Sequence, residues 1–178
     1  MFRSIPGSRR NVTMQQRIRR ARAQDIDILV EIIRTSFRGV ADRLGLTPEN
    51  CPKHPSNCTT QWVRGGRDRG VVYFILEEEG RVSGCVALER VDQKGCYLER
   101  LAVLPDRRRR GLGRALVDHV LMQAGRLGAD RVGIGIIAAQ AELKEWYRTM
   151  GFVEGETKEF AHLPFRVTFM SYNIAGGG

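Results

Sequence analysis

The sequence predicts a single α/β domain, more fully an α+β arrangement on one mixed sheet, and three observations carry that expectation. Three strand-like runs follow one another between residues 71 and 104 with only tight turns between them, the pattern of an antiparallel meander. Residues 96–137 then read strand, helix, strand, which implies a right-handed crossover and a parallel pair within the same sheet. At 178 residues the chain is long enough for one core that stands alone, and it carries no internal repeat.

Each element has a local cause. Residues 17–22 can make a short first strand. Asp25 opens a helical pattern in which Ile26, Leu29, Val30, Ile33 and Phe37 recur at three and four residues, giving one apolar stripe. Residues 39–57 are rich in Pro, Gly and Asn and read as a long loop, with at most a short turn beginning at Thr47-Pro48. Thr59 and Thr60 are placed to cap a second helix running to about Arg67.

Residues 71–78 are β-branched and aromatic, and Glu79-Gly80-Arg81 punctuates them. Residues 82–91 return, residues 92–95 turn again, and residues 96–104 make the third strand of the meander. Pro105 stops that ladder because it has no N–H to donate. From Gly111 the period becomes helical, with Leu112, Ala115, Leu116, Val120 and Ala124 on one face and Gly128 closing the helix. Arg131–Ile137 suits a buried strand, and residues 141–150 are helical until Gly151. Strands at 152–160 and 166–174 flank a break at His162-Leu163-Pro164. The folded domain thus runs from 17 to 174, between a basic arm at 1–16 and a short flexible tail at 175–178.

Composition narrows the class. Apolar residues at 42% and charged ones at 28% describe a globular chain rather than a disordered or fibrous one. No apolar run approaches the roughly 20 residues that span a bilayer, so no membrane partner is expected. The four cysteines show no paired spacing, which favours a reduced, cytoplasmic setting. The net charge of +9 suggests nucleic acid until its distribution is read. Seven arginines (Arg3, Arg9, Arg10, Arg17, Arg19, Arg20 and Arg22) precede Asp25 with no acid among them. Setting them aside leaves 22 basic against 20 acidic residues, a net of +2, so the body is nearly balanced. Such an arm is compatible with RNA, anionic lipid, an acidic partner or an organelle leader. The plainest reading is a flexible leader, with Met14 as an alternative start, and it argues against nucleic acid as the main partner.

The segment richest in chemistry joins the third meander strand to the next helix. Leu101-Ala102-Val103-Leu104-Pro105 delivers a basic loop, Asp106 to Arg110, to the helix start at Gly111-Leu112-Gly113-Arg114. There the first backbone N–H groups have no helical partner and the dipole adds roughly half a positive charge. Glycines at 111 and 113 let a phosphate approach the backbone, and arginines 107 to 110 add charge. The segment lacks the Gly-Lys-Ser/Thr ending of a nucleoside-triphosphate loop and the third glycine of a dinucleotide fingerprint. Close helix–strand packing is the competing reason for the two glycines.

Arg108, Gly111 and Gly113 fit the pattern Arg/Gln-x-x-Gly-x-Gly/Ala, and Tyr147-Arg148-Thr149-Met150-Gly151-Phe152 fits Tyr-x-x-x-Gly-Phe. On these two motifs and the order of elements, the chain resembles the GCN5-related N-acetyltransferases (GNAT). The resemblance implies a sheet splayed between its fourth and fifth strands, helices on both faces, and acetyl-CoA as cosubstrate with no metal. It implies cofactor contacts from Leu101, Val103, Leu104, Arg108, Arg109, Arg110, Gly111, Leu112, Gly113, Arg114 and Gln140. Arg109 replaces a common glycine, and Gln140 stands where many members have Asn.

Direct acetyl transfer to an amine needs a neutral nucleophile, fixed proximity, a donor for the carbonyl oxygen and a proton for the thiolate. The resemblance assigns the oxygen's donor to a backbone N–H near Val103 and the general acid to Tyr147, whose other reading is an ordinary amphipathic helix tyrosine. Glu99 is the candidate base: strict alternation puts it on the face of Leu101 and Val103, where a carboxylate is either paired or functional. Glu89 is its understudy. The resemblance implies that the loop between the first two helices forms the acceptor wall; Cys51, His54 and Cys58 make three soft ligands without a fourth, so a loop pocket stiffened by Pro52 and Pro55 is the better reading than a zinc site. His162 marks another place for acceptor contacts. Cys85 and Cys96 have no histidine partner and suggest no covalent route. The expected activity is N-acetylation of a small-molecule amine such as an amino acid, with a protein N-terminus or lysine as the alternative. A CoA-binding regulator or RNA-associated module is the alternative of another class. A homodimer is compatible with this reading.

Overall fold

A computed structural model describes residues 15–174; residues 1–14 of the expected arm and the tail at 175–178 lie outside them. Among the described residues the strands are β1 (Gln16–Arg20), β2 (Val72–Glu78), β3 (Arg81–Arg90), β4 (Gly95–Val103), β5 (Arg131–Ile137), β6 (Val153–Lys158) and β7 (Val167–Asn173). They form one mixed sheet in the order β1-β2-β3-β4-β5-β7-β6. Helices α1 (Ile26–Leu44) and α2 (Thr60–Asp68) cover one face, and α3 (Leu112–Arg126) and α4 (Ala141–Arg148) the other. The expected antiparallel meander is β2-β3-β4, and the expected parallel pair is β4 with β5 across α3.

Two cores follow from this layering. Leu29, Ile32 and Ile33 of α1 pack with Tyr73, Ile75, Cys85, Ala87 and Ala102. On the other side Leu112, Leu116, Val117 and Val120 of α3 pack with Val86, Leu88, Leu98, Val132 and Ile134. The entry to α1 is fixed by Asp25, whose carboxylate takes the Arg22 N–H at 2.6 Å and both guanidinium ends of Arg19 at 2.8 and 2.9 Å.

The loop expected from residue 39 is shorter than its composition suggests, because α1 continues to Leu44. Ala41, one turn beyond Phe37, is buried and extends the apolar stripe, and the helix ends where Gly45 turns left-handed. The turn after Thr47 and the Thr59 cap appear as expected; Thr59 Oγ1 accepts from the Trp62 N–H at 3.3 Å.

The sheet opens in its middle. β4 and β5 pair only at Gly95–Arg131, Cys96–Val132 and Tyr97–Gly133. Beyond Tyr97 they diverge, so the edge of β4 from Leu98 onward has no β5 partner. A bulge sits just past the fork: Ala87 faces Glu99 and Cys85 faces Ala102, leaving Arg100 and Leu101 against Val86 alone, with Arg100 at φ 50°. A bulge bends its strand and strengthens its twist, which carries β4 away from β5.

That bulge corrects the expected facing of Glu99. Alternation breaks at Arg100, so Leu101 and Val103 pack with the α3 core while Glu99 shares the α1 face with Ala87 and Ala102. The extra residue shifts the period, and sequence alternation alone carries no mark of it.

Candidate active site

A cavity of about 420 Å³ occupies the fork between β4 and β5. Both arms of the fork line it, with Tyr97 to Leu101 on one side and Ile134 to Ile137 on the other. Phe37, Cys51 and His54 close it from the α1 side, Gln140, Leu143 and Tyr147 from α4, and Leu163 and Phe165 from the loop before β7. Of the residues expected at the site, Glu99, Leu101, Gln140 and Tyr147 are therefore brought together.

Tyr147 is 5% exposed, held edge-on by Trp146 and Phe152 with ring centroids 4.9 and 5.2 Å away. Its hydroxyl has no hydrogen-bond partner among the described residues, and burial pushes its pKa well above the usual range. It is a neutral, uncommitted O–H at the cavity. Glu99 forms no ion pair or hydrogen bond with the described residues either. Burial lifts its carboxyl above the usual range, the neighbouring Arg100 pulls it back, and Glu89 adds to the rise. Among the described residues Glu99 has no ion-pair partner, and Glu89 does not line the cavity.

The loop expected to hold phosphate lies beyond the end of β4. Pro105–Arg107 makes one 3-10 turn, Arg109 takes φ 60°, and Gly111 takes φ 78° at the head of α3. No side chain caps that helix, so the N–H groups of Leu112, Gly113 and Arg114 keep the orphan status of any first turn. The two glycines differ in purpose. A Cβ at Gly111 would meet nothing within 4 Å, so the requirement there is the left-handed turn. A Cβ at Gly113 would stand 3.3 Å from the Trp146 ring, so close packing is part of its purpose.

The arginines are also divided. Arg108 donates to Ser36 O at 2.7 Å and Val103 O at 3.2 Å, tying α1 to the end of β4. Arg110 meets buried Glu78 at 3.2 Å. Arg107 is 3.7 Å from Asp106, while Arg109 and Arg114 are exposed. Leu104 donates its N–H to Ser83 O and packs toward the α1 core. The loop thus presents backbone N–H groups, with two of its guanidinium groups used to hold it in place.

Among the loop cysteines, Cys51 lines the cavity but Cys58 is buried in the α1 core, and no three His, Cys, Asp or Glu side chains among the described residues could hold a metal. Burial pushes the Cys85 thiol up to about 12, so it is no nucleophile at neutral pH. His162 lies against Phe160 with its ring tilted 57°, and Leu163 and Phe165 form the wall in its place. Sequence reasoning missed Tyr97, Arg100 and Phe165. Tyr97 was within reach, since it lies two residues before Glu99 on one pleat face.

A sequence model of the Acetyltransferase (GNAT) family matches residues 27–152. A mycothiol acetyltransferase of Streptomyces griseus is 39% identical over 64 residues, 36% of this chain and 21% of that protein. The ribosomal protein bS18 alanine N-acetyltransferase of Escherichia coli K12 is 31% identical over 81 residues, 46% of this chain and 54% of that one. The chain thus spans about half, or less, of the length of the curated relatives it matches. A Salmonella typhimurium acetyltransferase solved with its cofactor acetyl-CoA superposes with a TM-score of 0.68 at 20% identity, over 92% of this chain and 96% of that one. At that identity the likeness concerns the fold.

Proposed function

The chain belongs to the GNAT acetyltransferase family, and from that premise we propose that it transfers acetyl from acetyl-CoA directly to a primary amine, foremost that of a small molecule. One observation carries the reading: Glu99 and Tyr147, neither with a partner among the described residues, line one cavity at the fork of β4 and β5. Acetyl-CoA supplies an activated thioester. The unpaired edge of β4 from Leu98 to Val103 offers backbone groups to its pantetheine, and the uncapped start of α3 offers N–H groups to its pyrophosphate. Contacts from Leu101, Val103, Leu104, the loop from Arg108 to Arg114, and Gln140 complete that reading.

Glu99, directly or through a water, takes the proton that the amine must lose. A carboxyl whose pKa is raised by burial is better matched to that task than an exposed one. A backbone N–H near Val103 meets the carbonyl oxygen. Tyr147 gives a proton or hydrogen bond to the departing sulfur, and its raised pKa keeps it protonated for that purpose. The largely apolar lining of a cavity of this size is compatible with a small acceptor. The likeness to a ribosomal-protein alanine acetyltransferase supports a protein N-terminus as the second reading. The four cysteines are free and buried, in keeping with a cytoplasmic setting.

The test is a panel of amines with acetyl-CoA, following free thiol, for wild type, Glu99→Gln and Tyr147→Phe. Acetyl transfer that falls in both variants supports the assignment. Activity undiminished in both overturns the catalytic roles, and no thiol release with any amine overturns the activity.

A further inference from the structure

His54 lies in the loop between α1 and α2 and is 5% exposed. Its Nδ1 accepts the backbone N–H of Ser56 at 3.3 Å and lies 2.8 Å from Ser56 Oγ. A backbone N–H can only donate, so Nδ1 must offer a lone pair and the neutral ring carries its proton on Nε2. Phe37 stands edge-on to the ring at 5.9 Å and 79° and limits its rotation. Nε2 itself has no protein partner among the described residues. It is also not among their buried side-chain atoms without a hydrogen bond, which are Ser36 Oγ, Ser83 Oγ and the Glu78 oxygens, the last ion-paired with Arg110. His54 lines the fork cavity, so that cavity is where its N–H can find a bond.

Two cationic side chains also line the cavity. Lys53 and Arg100, with Nη1 of the latter already donating to the Tyr73 hydroxyl, bring further donors. Glu99 is the one carboxylate among the lining residues. With Glu99 to take a proton from the amine and the Nε2–H of His54 in need of an acceptor, the cavity suits a ligand that carries its amine beside an oxygen. A buried donor left unpaired by an oxygen-free ligand costs free energy.

Resting on the acetyl-transfer reading above, we infer that His54 is a specificity-determining residue: its Nε2–H bonds an oxygen beside the reacting amine, selecting α-amino carbonyl acceptors over plain alkylamines and polyamines. Amino acids, their amides and peptide N-termini share that chemistry.

The test measures kcat/KM for an amino acid, its amide, a short peptide, the matching alkylamine and a polyamine, in wild type, His54→Phe and His54→Gln. Wild type should prefer the oxygen-bearing amines by about tenfold, the scale of one buried hydrogen bond. His54→Phe keeps a ring but no donor, and should lose that preference through KM for the amine, with KM for acetyl-CoA unchanged. His54→Gln, whose amide places a donor near the position of Nε2, should restore it. Thermal melts of each variant separate loss of fold from loss of selectivity. Equal use of both amine sets by wild type, or a preference that survives His54→Phe, overturns the inference and leaves acetyl transfer standing. Absence of turnover with every amine overturns both. The peptide and amino-acid arms distinguish a protein from a small-molecule source of the shared group.

Discussion

Glu99 stands directly opposite Ala87 in the β3–β4 ladder, on the sheet face that α1 covers. One extra residue in β4, Arg100 at φ 50°, sets that facing and thereby divides the fork. Leu101 and Val103 turn toward α3, and the carboxylate turns toward the wall that carries Phe37 and His54. The proposed base and the proposed cofactor-binding edge come from consecutive stretches of one strand, separated by a bulge.

Replacing Glu99 by Gln should lower kcat by about 100-fold, the usual scale for loss of a general base. The sign of its pH effect follows from burial. Its pKa lies above the usual carboxylate value, so wild-type activity rises as pH climbs through that raised value and the base becomes charged. Glu99→Gln should abolish that acidic limb. It should also leave the melting temperature at pH 7 unchanged or higher, because an unpaired, desolvated carboxylate opposes folding once ionised. Paired pH–rate profiles and thermal melts check both; a limb that persists in Glu99→Gln assigns the base elsewhere.

Tyr147→Phe removes a hydroxyl that bonds none of the described residues, so stability should change by less than about 0.5 kcal/mol. The rate should fall about 10- to 100-fold with little change in KM for acetyl-CoA. Burial raises the hydroxyl's pKa well above 10, so Tyr147 remains a proton donor throughout the range where most enzymes are assayed. Activity should therefore show no loss attributable to Tyr147 up to pH 10. Denaturant melts and kcat against pH measure the two effects.

Much of this fold was legible because its signals are local. The stripe from Ile26 to Phe37, the Thr59 cap, the stop at Pro105 and the change of period at Gly111 each act within a few residues. The end of α1 was misplaced because loop-like composition after Gly39 outweighed the buried Ala41, which tertiary packing makes decisive. The facing of Glu99 was illegible for a different reason: a bulge is a mismatch between two strands, and β4 alone does not reveal it. The purpose of Gly113 likewise depends on Trp146, 33 residues away in sequence and visible only in the packed structure. Tyr147 and Gln140 were found through a family motif; periodicity alone would have left them as an ordinary helix.

The two loop glycines should fail differently. Alanine at Gly111 has space but must adopt φ 78°, a cost of roughly 1 kcal/mol that Trp146 does not affect. Alanine at Gly113 meets the Trp146 ring at 3.3 Å and should destabilise by about 1–3 kcal/mol, the cost of overpacking. Adding Trp146→Leu should recover stability only in the Gly113→Ala background. A double-mutant cycle by denaturant unfolding reads the coupling, and equal coupling at both glycines would refute the division of purpose.

Asp25 provides the clearest acid sensitivity outside the cavity. Arg19's guanidinium holds both its oxygens, the Arg22 N–H adds a bond at 2.6 Å, and together they bring its carboxyl from 3.8 down to about 2 against the cost of burial. Because the folded value is the lower one, the stabilisation is complete above the unfolded pKa. It declines as pH drops below about 4 and is gone once pH passes through about 2. The amount is on the order of 1–2 kcal/mol, since Arg19 is partly exposed and solvent weakens the pair. Arg19 also reaches Glu77 at 2.8 Å, so the same network fastens the entry of α1 to β2. Asp25→Asn should therefore be less stable than wild type at pH 7, and the difference should shrink steadily between pH 4 and pH 2. Urea unfolding across that range measures it; a constant difference would mean that Asp25 supports the turn through its shape and hydrogen bonds, with its charge contributing nothing.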